Sequence, residues 1–153
     1  MYSIDTSGFL DGMKRHYPPD AFPGVWDKMS ELAAAGNLKI CEMVKVEFEK
    51  RDDEAQKWFE ERPDTIIALD EKRQGIVRDL LAKYPRLVDT KKGRSGADPF
   101  VIALALSSGC PVITGEVPSG NIDKPKIPDV CAAVGVPTLS FLQLIQRERW
   151  VFK

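Results

Sequence analysis

"SGADPFVIALALSSGCPVITGE", Ser95 to Glu116, decides the fold reading. From Pro99 to Leu106 nearly every side chain is apolar, a composition that suits a helix buried on all sides. The run "PVIT" that follows reads as a strand with no solvent-facing side. Such a helix beside such a strand belongs to a sheet covered on both faces, which is how parallel sheets are built. Yet Asp98 stands at the mouth of this helix and Glu116 just past this strand. Two carboxylates therefore bracket the most apolar part of the chain.

Working outward, short strands alternate with helices. "YSIDTSG" is a short apolar run that stops near Asp5 in turn formers, a first strand. "DAFPGVWDKMSELAAAG" puts Phe22, Val25, Trp26, Met29 and Leu32 on one helical face, with Gly36 as its stop. "NLKIC" is a second strand. "EMVKVEFEKRDDEAQKWFEERP" is one broken helix or two, ended by Pro63. "TIIALDEKRQGIVRDLLAKYP" reads as a single amphipathic helix closed by Pro85. Beyond the central stretch, "GEVPSGNIDKPK" is a loop, "IPDVCAAVG" a short helix and "PTLSF" a strand. "LQLIQRERW" is a last helix with Leu142 and Ile145 on one side. The expectation is a single domain over residues 1–153, an α/β/α sandwich around a mostly parallel sheet.

With 153 residues, 43% of them hydrophobic, the chain is long enough for a real core. The formal net charge of -1 supplies no global field for nucleic acid, so any such contact must come from a local basic patch. Cys41, Cys110 and Cys131 lack metal-ligand spacing and read as reduced, mostly buried thiols of a cytoplasmic protein, without zinc. No run is apolar enough to cross a bilayer, and the amino terminus lacks the order of a secretory signal. His16, the single histidine, reads as a surface residue, and Trp26, Trp58 and Trp150 as core.

In open α/β sheets chemistry collects beyond the carboxyl ends of the strands. Asp5 ends the first strand, Glu116 follows the "PVIT" strand, Glu47 lies in the helix after the second strand, and Asp98 opens a helix leading back to the sheet. Right-handed crossovers bring these segments toward one edge. Clustered carboxylates need cations or protons as compensation, and an oxygen-only set points to Mg²⁺ or Mn²⁺. Such ions serve phosphodiester hydrolysis, and Lys91, Lys92 and Arg94 in "KKGRSG" offer phosphate contacts beside Asp98. Each acid also has a plainer reading. Asp98 before Pro99 has the form of an N-cap, Asp5 of a turn residue, and Glu47 of a solvated helix charge with Glu49 as its equal. Asp129 suits the first turn of a helix. A phosphatase with Asp5 as nucleophile is a weaker alternative, because Ser7 stands where the acid partner would be.

"YSIDTSGFLDG", the helical Glu47 in "VKVEFEK", "GADPFVIALAL" and "PVITGE" together resemble the successive motifs of PIN-domain proteins, and the likeness covers nearly the whole chain. These are compact α/β/α ribonucleases, many of them VapC-type toxins of toxin–antitoxin pairs. "YPPDAFPGVWDKM" and "IPDVC" look most like a PIN-like family without an assigned function. The resemblance implies an RNA-cutting site in which Asp5, Glu47 and Asp98 hold Mg²⁺ or Mn²⁺, supported by a hydroxyl from Thr6 or Thr114. Many relatives carry aspartate where this chain has Glu116, so Glu116 and Asp129 compete as the fourth acid. An antitoxin partner and a homodimer are implied as well. A PIN-like module that binds RNA or protein without cutting is the alternative.

Overall fold

The computed structural model describes residues 1–88 and 96–153. Its centre is a five-stranded, wholly parallel sheet of β1 (Tyr2–Ile4), β2 (Leu38–Cys41), β3 (Ile66–Ile67), β4 (Val112–Ile113) and β5 (Thr138–Leu139). The spatial order is β3-β2-β1-β4-β5, with helices on both faces in a three-layer α/β/α arrangement. The chain leaves β1 in one direction to build β2 and β3, and returns to add β4 and β5 on the other side. The crevice beyond the carboxyl ends of β1 and β4 is thus the switch point where open parallel sheets place their ligands.

The central stretch folds as its composition dictates. The helix Asp98–Ser108 buries Pro99, Val101, Ile102, Ala103, Leu104 and Ala105. It packs on β1 and β2, and against the helix Glu71–Lys83. Gly109 ends it with φ 65°, a left-handed conformation that costs glycine little. Asp98 is the first helical residue rather than the cap. The capping position is Ala97, which has helical backbone angles, so the side-chain cap expected of Asp98 is not the arrangement found.

Around this centre, α1 (Thr6–Leu10) runs into a π-helical turn over Asp11–His16, and α2 (Pro23–Ala34) precedes β2. α3 (Glu42–Arg51) and α4 (Asp53–Glu60) are separated at Asp52, whose side chain accepts from Ala55 N at 3.0 Å and so caps α4. α5 (Glu71–Lys83) precedes the buried helix, here α6, and α7 (Ile127–Val134) and α8 (Phe141–Arg147) follow. Three expectations need correction. "DTSG" is the start of a helix, not a turn, because Asp5 caps α1. "TIIALDEKRQGIVRDLLAKYP" is not one helix. A short 3₁₀ turn (Pro63–Thr65) lets Ile66 and Ile67 pair with Ile40 and Cys41, and Asp70 then caps α5 by accepting from Arg73 N at 2.8 Å. In α8 it is Phe141, Leu144 and Ile145 that face the core, while Leu142 is 50% exposed.

Nearly all the buried apolar side chains form one continuous cluster. Within it, Phe9 of α1 sits among Trp26, Phe48, Trp58 and Phe59, with ring centroids 4.6 to 5.5 Å away. Aromatic pairs at such distances contribute about 0.5–1.5 kcal/mol each beyond their buried area. This knot fixes α1 against α2, α3 and α4, which sets where Thr6 and Glu47 meet. Trp26, Trp58 and Trp150 all belong to or pack against the core, as expected. The three cysteines are buried free thiols, and burial pushes Cys41 and Cys131 up to about 12. No helix among the described residues is long and apolar enough to cross a membrane.

Candidate active site

Asp5 follows β1 directly and is the hub of the site. It is 4% exposed and caps α1 by accepting from Gly8 N at 2.5 Å. Ser7 donates to it at 2.9 and 3.0 Å, and Thr114, at the end of β4, donates to it at 2.6 Å. Two backbone groups hold the hydroxyls in turn. Gly115 N donates to Ser7 Oγ at 2.9 Å, and Glu116 N to Thr114 Oγ1 at 3.1 Å. This closeness of α1 and β4 depends on Gly8. A Cβ there would stand 2.6 Å from the Ile113 carbonyl oxygen, a backbone atom that cannot swing aside.

Glu47 projects from α3 on the other side. Thr6 donates to its Oε2, while Oε1 is buried with no hydrogen-bond partner among the described residues. Glu116 also lines the cleft, and its Oε2 accepts from Ile127 N at 3.0 Å, so the start of α7 orients it. Asp98 reaches the same cleft from the first turn of α6. Asp5, Glu47, Asp98 and Glu116 thus share the wall of one cleft of about 110 Å³, with Thr6, Ser7 and Arg51 beside them. Thr114 acts from behind, through Asp5.

The electrostatics of this cleft are one-sided. Burial pushes the Asp5 carboxyl up to about 7, although the bonds from Thr114, Gly8 and Ser7 pull it down; the charge of Glu116 raises it further. Burial likewise raises Glu47, against the pull of Thr6 and Arg51. Cations or protons must compensate such a group. The oxygen-only donors and the orphaned Glu47 Oε1 fit a hard divalent cation such as Mg²⁺ or Mn²⁺. Among the described residues, however, no three acidic, cysteine or histidine side chains are already gathered at metal-binding distance. A single cation held by this set would need these side chains drawn closer together.

The other candidates fall elsewhere. Asp129 is spent on structure: its carboxylate accepts from Lys126 N, Ser119 N, Ser119 Oγ and Gly120 N at 2.8 to 3.2 Å and ties down the loop before α7. Slight burial raises its carboxyl, but those donors outweigh it and hold it below its usual value. Lys91, Lys92 and Arg94 lie outside the described residues. Sequence reasoning passed over Arg51. Its only signal was a place one helical turn beyond Glu47, inside a charge run that resembles an ordinary solvated helix end.

Fold and cleft together define a class: a parallel α/β/α protein with an acidic, hydroxyl-supported crevice at the switch point of its sheet. The chain belongs to the family described as Domain of unknown function (DUF4411), whose model matches residues 2–152. No curated protein matches it.

Proposed function

We propose that this protein is a metal-dependent ribonuclease that cuts RNA phosphodiester bonds, acting as the toxin of a toxin–antitoxin pair. The observation that carries the reading is the convergence of Asp5, Glu47, Asp98 and Glu116 on one cleft, with one buried carboxylate oxygen that has no partner among the described residues. The ordered PIN-like motifs around these same residues support it. In this reading Asp5, Glu47, Asp98 and Glu116 would hold Mg²⁺ or Mn²⁺, and the chemistry such an ion would supply is activation of a water and neutralisation of charge on the phosphodiester. Thr114 and Ser7 hold the Asp5 carboxylate, and Thr6 holds Glu47. Arg51 faces the negative phosphate. A cytoplasmic setting, an antitoxin partner and a homodimer belong to the same proposal.

The spread of the acids gives a second reading its footing, a PIN-like module that binds RNA or a partner without cutting. Cleavage of single-stranded RNA in Mg²⁺ or Mn²⁺, abolished by chelator and by Asp98→Asn, is the expected result. Metal-independent cleavage, or full activity in Asp98→Asn, refutes the metal-dependent assignment. No cleavage with any RNA or metal leaves the binding module as the better account. Phosphatase chemistry at Asp5 is disfavoured, because Ser7 stands where the acid partner would be and donates to the Asp5 carboxylate.

A further inference from the structure

Next to the acidic cleft lies a second, larger groove of about 250 Å³, which shares Glu47, Arg51 and Ala97 with it. Its remaining wall includes Met43, Val46 and Lys50, all from α3. α3 therefore adds two cations, Lys50 and Arg51, and an apolar strip beside Glu47, the carboxylate that both pockets share. Val46 is 38% exposed, large for a branched apolar side chain on a helix that also buries Val44 and Phe48 completely.

The cations have a plainer use as favourable charges at a helix carboxyl end. That use does not require them to line a groove continuous with the acids. Lys45, one turn earlier, is spent on Glu49 at 3.6 Å, whereas Lys50 and Arg51 form no ion pair among the described residues. Both stabilise the ionised form of Glu47.

We infer that this groove is a nucleotide subsite for single-stranded RNA, with Arg51 and Lys50 holding the phosphate next to the scissile one and Val46 and Met43 supporting a base. A strand entering the acidic cleft has to pass a wall that its phosphates would avoid unless cations flank it. Arg51 stands where cleft and groove join and can bridge two successive phosphates through its planar fork. Lys50 lies farther along the groove. The subsite rests on the ribonuclease reading for its ligand, but Met43, Val46, Lys50 and Arg51, which would hold that ligand, are not among the acids, and Glu47 is the one acid that also lines the groove.

The test is binding of a short labelled single-stranded RNA, in chelator so that no cleavage intervenes, across a series of salt concentrations. Cleavage kinetics in Mg²⁺ are measured in parallel. The Lys50→Gln/Arg51→Gln pair should weaken binding roughly tenfold and lower the slope of log affinity against log salt by about 1.4, since each single-strand phosphate contact contributes about 0.7. Lys50→Gln alone should raise KM and leave kcat nearly unchanged, and Lys50→Arg should restore KM. If the wild type cleaves RNA but the double variant binds it with unchanged affinity and slope, the subsite is refuted while the ribonuclease reading stands. If the wild type binds RNA through these residues and never cleaves it, the subsite stands and the nuclease reading falls. A wild type that neither binds nor cleaves overturns both.

Discussion

Replacing Asp5 by asparagine keeps its size and removes its charge. In the metal-free protein the Asp5 carboxyl is raised by burial from 3.8 to about 7. The sign follows from proton counting: between these values the folded chain holds a proton that the unfolded chain has released. Stability from this group is fully present below 3.8, falls as pH rises through the window, and is gone above about 7. From about pH 5 to the folded value is about two units, so wild-type stability should drop by roughly 3 kcal/mol between about pH 5 and about pH 8.5 on this account alone. In Asp5→Asn the new side chain can still accept from Gly8 N, and its amide can donate to a hydroxyl of Ser7 or Thr114 once that hydroxyl turns. The variant should therefore lack this component. Urea unfolding of both proteins across the range, in chelator, gives the difference directly, with every other titrating group common to both. A wild-type-minus-variant difference that does not change with pH would mean that Asp5 stays ionised in the folded chain, and the picture of an uncompensated cleft would be wrong. Saturating Mn²⁺ should remove the pH-dependent difference, because a bound cation favours the ionised carboxylate.

Gly8→Ala should cost about 1–3 kcal/mol in urea unfolding, because its Cβ meets the Ile113 carbonyl; a neutral result would deny the close approach of α1 to β4. Thr6→Val should cost about 1–3 kcal/mol by leaving both Glu47 oxygens without a partner among the described residues, read as a lowered unfolding midpoint with unchanged slope. Asp129→Asn should speed hydrogen exchange at the Ser119 and Gly120 amides and leave metal affinity intact, whereas Glu116→Gln should weaken metal and leave those amides protected. Equal effects of the two on metal would reopen the choice of fourth acid.

What the sequence showed clearly were segments whose composition allows only one use. The run Pro99–Leu106 has no polar face to offer water, and "PVIT" is too apolar and too short for anything but a buried strand. Together they implied a covered parallel sheet, and the alternation around them placed β1, β2, β4 and β5. β3 was hidden because two isoleucines beside an amphipathic pattern serve a helix face as well as a strand, and only pairing with Ile40 and Cys41 decides between them. α1 was hidden by its own composition: Thr6, Ser7 and Gly8 read as a turn, and they form a helix because Asp5 caps it and Phe9 anchors it in the aromatic knot. Asp5 and Glu116 stood out by position relative to strand ends, a matter of topology, whereas Glu47 and Asp98, both in helices, were separated from ordinary helix charges only by the resemblance to PIN motifs. The division of labour among hydroxyls was not legible, since Ser7 and Thr114 serving Asp5 while Thr6 serves Glu47 depends on side-chain directions across three elements.

In the proposed function Asp5, Glu47, Asp98 and Glu116 make one cation site. Calorimetric titration of the purified protein with Mn²⁺, repeated on Asp5→Asn, Glu47→Gln, Asp98→Asn, Glu116→Gln and, as control, Asp129→Asn, tests it most directly. Saturable binding is expected for the wild type and for Asp129→Asn, and strongly weakened binding for each of the other four. Saturable Mn²⁺ binding that survives in the four cleft variants, or no binding by the wild type at millimolar metal, would contradict it.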